Sequence, residues 1–246
     1  MTTRSSKIVR VYARISRRLT GFHPLSIAFI IFSLLNISVY SLIALHPDLL
    51  ESLWLSPSTP WGILTSAFTH AELGHLVSNL EGFALSVLLF IPVVSVHSPD
   101  IRRRWSRAFL WLVFLSGIGA NLIEYPTTLV GPGSSSWGAS GIVYGSLGVV
   151  LAGALLSLPG HLKTMTKRRS KKKRKLRFNR KSWRELRAIF VLSLLMAFLI
   201  AILTNTGRFL NVGPGIDVFA HGVGFLIGLW GGMAMFKSTD KRRQKR

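Results

Sequence analysis

The sequence predicts an all-α polytopic membrane protein with six transmembrane helices. Three observations lead there. Hydrophobic residues make up 49% of the 246 residues and charged ones only 16%, below the roughly 25% charge of ordinary soluble domains. The 31 Lys and Arg outnumber the 9 Asp and Glu, for a net charge of +22, and they are clustered rather than spread. Between the clusters lie uncharged stretches near the ~20 apolar residues that cross a hydrocarbon core. An ordinary soluble globule is thereby excluded. With no cysteine in the chain, disulfides, thiol catalysis and Cys-ligated metals are excluded as well.

Leu25 to Leu45 carries no charge and is expected to be the first span. It is too long for a signal-peptide core, and no small-residue cleavage site follows it. His75 to about Val96, with Glu81 as its only charge, is the second, and Ala108 to Ile123 is the core of the third. Tyr125 to Gly160 is uncharged too, but Gly131-Pro132-Gly133 followed by three serines is turn chemistry. The fourth helix is therefore expected from near Trp137 to Pro159. Ala188 to Thr206 is the fifth and Val218 to Phe236 the sixth.

The positive-inside rule orients these spans, because Lys- and Arg-rich segments stay cytoplasmic. Six basic residues precede the first span, four follow the second, fourteen lie from Lys163 to Arg187, and six close the chain; Arg208 alone falls on the other side. Both termini are expected in the cytoplasm and the protein in the cell membrane. The domain expectation is a basic segment at 1–21, a membrane domain at 22–236 with a basic loop at 161–187, and a basic tail at 237–246. The run Lys167 to Lys175 lacks interleaved aromatics and joins two spans. It reads as a surface for anionic lipid headgroups rather than for nucleic acid. Tryptophans such as Trp54, Trp61, Trp105, Trp137 and Trp183 lie near expected interfaces, as belt residues do.

Polar and ionisable residues inside spans are costly, so each is a functional candidate. Three groups stand out: His70 to Asn79 at the outer start of the second span, Trp137 to Gly145 at that of the fourth, and Asp217 to Gly224 at that of the sixth. These three helices run in the same direction. Ser140, expected about three residues into its helix, and His221, about four into its own, each lie roughly 5 Å below a helix start. His75 and Asn79 fall in the first two turns of theirs. A nucleophile, a base and two hydrogen-bond donors thus share one depth. Gly141, Gly145, Gly148 and Ala152 form one small-residue stripe, and Gly224, Gly228 and Gly232 form another. Such stripes let membrane helices approach closely, and Ser140 and His221 sit at their outer ends. Asp217 either orients His221 or, as the preferred expectation, caps the sixth helix after Gly213-Pro214-Gly215. Glu72, Glu81 and Glu124 have no partner that the sequence identifies.

With these residues in view, the chain resembles the rhomboid intramembrane serine proteases. The resemblance rests on His70 and His75 with Asn79 four residues on, on Gly138-Ala139-Ser140-Gly141, and on Ala220-His221 followed by Gly224 and Gly228. It spans about residues 22 to 236 and implies a six-helix rhomboid-like bundle. It also implies Ser140 as nucleophile and His221 as general base. His75, Asn79 and the Ser140 backbone amide would form an oxyanion hole. Tyr144 would pack on the imidazole, His70 would order the loop, and other proteins' transmembrane segments would be the substrates, with no cofactor. The first external loop, His46 to about Thr59, is short and lacks the Trp-Arg pair that many family members carry there. The internal basic loop is longer than the pattern leads one to expect.

Three rivals have distinct signatures. A catalytically silent rhomboid-like binding protein would be favoured by loss of Ser140 or His221, and both are present. A transporter or channel calls for polar lines across the whole bilayer, whereas these groups stop in the outer half. A metal site of His70, His75 and His221 would need a carboxylate ligand or an open position. His23, His46, His97 and His161 lie at span ends or in loops, where no chemistry is expected of them.

Overall fold

A computed structural model describes residues 21–130, 135–166, 180–204 and 218–244. Eight α-helices account for nearly all of it. They are α1 (His23–Leu45), the short α2 (Leu49–Leu53) and α3 (Gly62–Thr65), α4 (Leu73–Val94), α5 (Pro99–Val130), α6 (Ser140–Thr166), α7 (Arg180–Thr204) and α8 (Val218–Gln244). A 3₁₀ turn, Ser66–Phe68, continues α3. Among the described residues there is no strand, only isolated bridges between Leu55 and Ser136 and between Ser56 and Thr59.

Among the described residues five helices are long and apolar enough to cross a membrane: α1, α4, α5, α6 up to Pro159, and α8 up to Ser238. The expected fifth span lies in α7, whose apolar part among the described residues is the shorter Ile189–Ala201. Several helices outrun their expected bounds. α5 begins at Pro99 and takes in Arg102, Arg103, Arg104 and Arg107. Arginine is a good helix former, so the backbone has no reason to stop where the apolar run does. α6 likewise continues through Pro159 to Thr166.

α6 is the hub. Two thirds of its span is buried, against about a fifth for α1, and it packs on α4, α5, α7 and above all α8. The α6–α8 contact is backbone against backbone. A Cβ added to Gly224 would strike the Gly141 carbonyl, one on Gly228 the Gly145 carbonyl, and one on Gly148 the Phe225 carbonyl. A Cβ on Gly232 would lie 2.7 Å from the Ala152 methyl. The two stripes face each other along the whole seam. In lipid, where apolar surface gains little by leaving its surroundings, such close packing is what holds helices together.

α1 shows the opposite arrangement. Leu25, Ala28, Phe32, Asn36 and Ile43 are buried, while Ile30, Leu34, Leu35 and Leu42 are exposed. One stripe faces the bundle and the rest presents an apolar surface suited to lipid. Asn36, within this span, donates to the Phe32 carbonyl at 2.8 Å. At the end of the bundle away from Ser140, Trp105, Phe236, Phe90 and Phe109 stack in series at 4.3–6.0 Å between centroids. His97 packs on Trp105 at 4.3 Å and meets the Ser157 hydroxyl at 3.1 Å, so this histidine locks α6 to the end of α4.

Candidate active site

Ser140 is the first residue of α6, not the third or fourth as the sequence suggested. The cause lies in the residues before it. Ser136 pairs with Leu55 through two backbone bonds, 2.9 and 3.0 Å, Trp137 stacks on Trp54 at 5.7 Å, and Gly138 adopts φ +118°. An extended residue followed by left-handed glycine cannot be helix. The chain therefore enters along the segment between α1 and α4 and turns into α6 only at Ser140.

On one side of Ser140 lies the start of α4. The His75 imidazole rests on Gly138, where an added Cβ would come 2.9 Å from Nε2. Only glycine accommodates both that ring and that φ. Asn79, one turn further along α4, is buried at 6% exposure, and its Nδ2 lies 3.0 Å from Nε2 of His70. As placed, the amide N–H donates and the ring nitrogen accepts, which requires His70 to be neutral with its proton on Nδ1. The environment agrees. Burial, with the neighbouring His75 second, lowers the His70 pKa from 6.5 to about 4; the Phe68 carbonyl opposes this without reaching hydrogen-bond geometry at Nδ1. The His70 and His75 rings meet edge to face at 5.0 Å.

On the other side lies α8. His221 is 5% exposed and stacks on Tyr144 at 4.2 Å and 16°. Tyr144 is one turn below Ser140 on α6, so the imidazole is held flat against the helix that carries the hydroxyl. Gly141, next to Ser140, would carry a Cβ only 3.8 Å from the Ala220 carbonyl. His221 follows Ala220, and Gly224 and Gly228 bring α8 down the seam below it. Ser140 itself is half-buried. The structure thus gathers Ser140, His75, Asn79, His221, Tyr144, Gly138, Gly141, Gly224 and His70 around one helix N-terminus. Among the described residues no three His, Asp or Glu side chains cluster as a metal site would need. Asp217 and the turn from Gly213 lie outside the described residues.

Several supports were not anticipated. Thr59 and Thr65 donate to the Trp54 and Leu53 carbonyls at 2.8 and 2.6 Å, and Trp61 Nε1 donates to the Ser52 carbonyl at 2.7 Å. These bonds knot the segment between α1 and α4 into a unit. Glu124, without an assigned role in the sequence, is buried on α5 at 8% exposure.

The rhomboid domain family model matches residues 57–238, leaving α1 outside the match. No curated protein and no solved structure matches the chain. With the match covering well over half of a multi-pass helical bundle, the chain belongs to the rhomboid family.

Proposed function

We propose that this protein is an intramembrane serine protease using Ser140 and His221 as a catalytic dyad. The observation that carries the reading is the pair of histidines flanking one helix N-terminus: His75 against Gly138 before Ser140, and His221 stacked on Tyr144 after it. A serine hydroxyl attacks an amide only if a base takes its proton as the bond forms. Neutral imidazole suits that role at physiological pH. Ser140 Oγ bonds to the scissile carbonyl carbon while His221 accepts the hydroxyl proton. Collapse of the tetrahedral intermediate breaks the C–N bond, and His221 returns the proton to the leaving amine. Water, deprotonated by His221, then cleaves the acyl ester and restores Ser140.

The intermediate's oxyanion needs donors fixed in advance, each worth about 3 kcal/mol in a low-dielectric site. His75, Asn79 and the Ser140 backbone N–H are the donors in this reading. Asn79 spends one amide hydrogen on His70 and has a second to offer. Gly138 and Gly141 leave room for a substrate backbone beside Ser140.

A helical substrate hides its scissile carbonyl in a hydrogen bond. The preferred substrates are therefore transmembrane segments with small or helix-breaking residues near the outer surface. Both termini lie in the cytoplasm, the protein sits in the cell membrane, and the basic segments rest on anionic headgroups.

The test is a fluorophosphonate probe applied to purified protein, with cleavage of a reporter transmembrane substrate followed in parallel. The parent chain should be labelled and should cleave, and Ser140→Ala and His221→Ala should do neither. A Ser140→Ala protein that still cleaves would refute the mechanism. A folded parent that neither labels nor cleaves would favour a binding role.

A further inference from the structure

We propose that Asn121 of α5 is a positioning residue for this site, acting through Ser66 on the backbone that leads into Ser140; the inference deepens the protease reading and rests on it. Asn121 lies within a membrane-spanning helix at 5% exposure. An amide there carries a desolvation cost that an apolar side chain would avoid, so its bonds need a reason. Nδ2 donates to the Ile63 carbonyl at 3.1 Å and to the Ser66 hydroxyl at 2.9 Å. These acceptors lie on α3 and on the first residue of the 3₁₀ turn. Two bonds from one amide fix the spot where the segment between α1 and α4 changes helix type.

Ser66 passes that position on. It is fully buried, and its carbonyl accepts from the Thr69 N–H at 3.1 Å and from the Gly138 N–H at 2.9 Å. Gly138 is the left-handed residue under the His75 ring, two residues ahead of Ser140. The path Asn121, Ser66, Gly138 therefore ties α5 to the residue whose backbone sets both the His75 contact and the direction in which α6 starts. The Leu55–Ser136 pairing and the Trp54–Trp137 stack hold the same stretch of chain two and one residues earlier. The Ser66 bond acts nearest the nucleophile, and it is anchored to a membrane helix rather than to the segment between α1 and α4 alone.

The test uses the full-length protein in detergent with the reporter substrate. Asn121→Leu keeps the branched heavy-atom skeleton and removes both bonds. It should lower kcat about 10- to 100-fold with KM within about twofold, because a misplaced reacting group costs rate rather than substrate affinity. Ser66→Ala should show a smaller fall in the same direction, and Ser66→Thr, which keeps the hydroxyl, should recover most of the parental kcat. The double variant Asn121→Leu/Ser66→Ala should be little worse than Asn121→Leu alone. Amide hydrogen exchange of a peptide covering residues 135–139 should speed up in Asn121→Leu. Parental kcat in Asn121→Leu, or a loss confined to KM, would overturn the proposal. If Ser140→Ala still cleaves, the protease reading falls separately; unchanged exchange at 135–139 would then overturn the brace without reference to activity.

Discussion

Gly224→Ala tests whether the α6–α8 seam sets the separation of hydroxyl and imidazole. The new methyl would lie 3.0 Å from Gly141 Cα and 3.1 Å from its carbonyl carbon, and would collide with its carbonyl oxygen. All three atoms are backbone, so no side chain can rotate away. Carbon atoms sit comfortably at about 3.5–4.0 Å, so the helices must part by roughly 0.5–1 Å. Gly141 adjoins Ser140, and Gly224 lies one turn below His221, so the opening falls at the proposed dyad. A displacement of ~1 Å in a reacting pair costs about 100-fold in rate, or ~3 kcal/mol of barrier. Overpacking of this kind also lowers stability by about 1–3 kcal/mol. The control is on the same helix. Gly222 has nothing within 4 Å of an added Cβ, and alanine is favoured over glycine in a helix by about 1 kcal/mol. Gly222→Ala should leave labelling and cleavage within about twofold and hold or raise the melting temperature. Fluorophosphonate labelling rate, reporter cleavage and thermal unfolding, read on all three proteins, decide the matter. Parental rates in Gly224→Ala would refute the claim that backbone contact along the seam aligns Ser140 with His221.

Two further outcomes follow from the α4 side. His70 is buried with its pKa lowered to about 4, so as pH falls the unfolded chain takes up its proton first, near 6.5. The stabilisation from keeping it neutral is complete above 6.5 and is lost as pH drops toward 4, a change of about 3 kcal/mol. His70→Gln cannot take up that proton, so its stability should depend less steeply on pH in this window; equal slopes in thermal unfolding from pH 7 to pH 4 would refute the assignment. Gly138→Ala places a methyl against the His75 ring and imposes a φ that costs an L-residue roughly 1–2 kcal/mol. Labelling should fall at least about 10-fold while Gly74→Ala, in open space on α4, stays at the parental level.

The sequence made legible whatever depends on one helix at a time. Charge clusters and apolar runs gave the helices, and the glycine stripes at spacings of three and four predicted which faces of α6 and α8 meet. What escaped was set by contacts distant in the chain. Ser140 begins α6, rather than lying a turn inside it, because Leu55, some eighty residues earlier, pairs with Ser136 and keeps the chain there extended. Periodicity has no access to that pairing. Asn121 is a different kind of omission. A lone amide in a charge-free span was visible, but its meaning needed the position of Ser66, which no local pattern supplies. α7 shows the reverse difficulty: basic residues at its start belong to the helix although they lie outside the apolar run.

The two halves of the site are held by different physics, and their failures should therefore differ in kind. The helices that carry Ser140 and His221 are held by carbonyls and glycines in direct contact, a seam that cannot compress and that water cannot replace. The half carrying His75 and Asn79 is held by hydrogen bonds at its outer edge: His70 to Asn79, Ser66 to Gly138, Asn121 to Ser66. Each bond has a buried residue on at least one side, so losing one partner leaves the other unsatisfied at a cost of about 1–3 kcal/mol. Damage to the seam moves Ser140 from the base proposed for it, so labelling and cleavage should fall together. Damage to the polar half shifts Gly138 and with it the groups proposed as oxyanion donors, His75 and Asn79. The labelling and cleavage rates then need not fall in proportion, because the probe and a peptide carbonyl present different charge distributions to those donors.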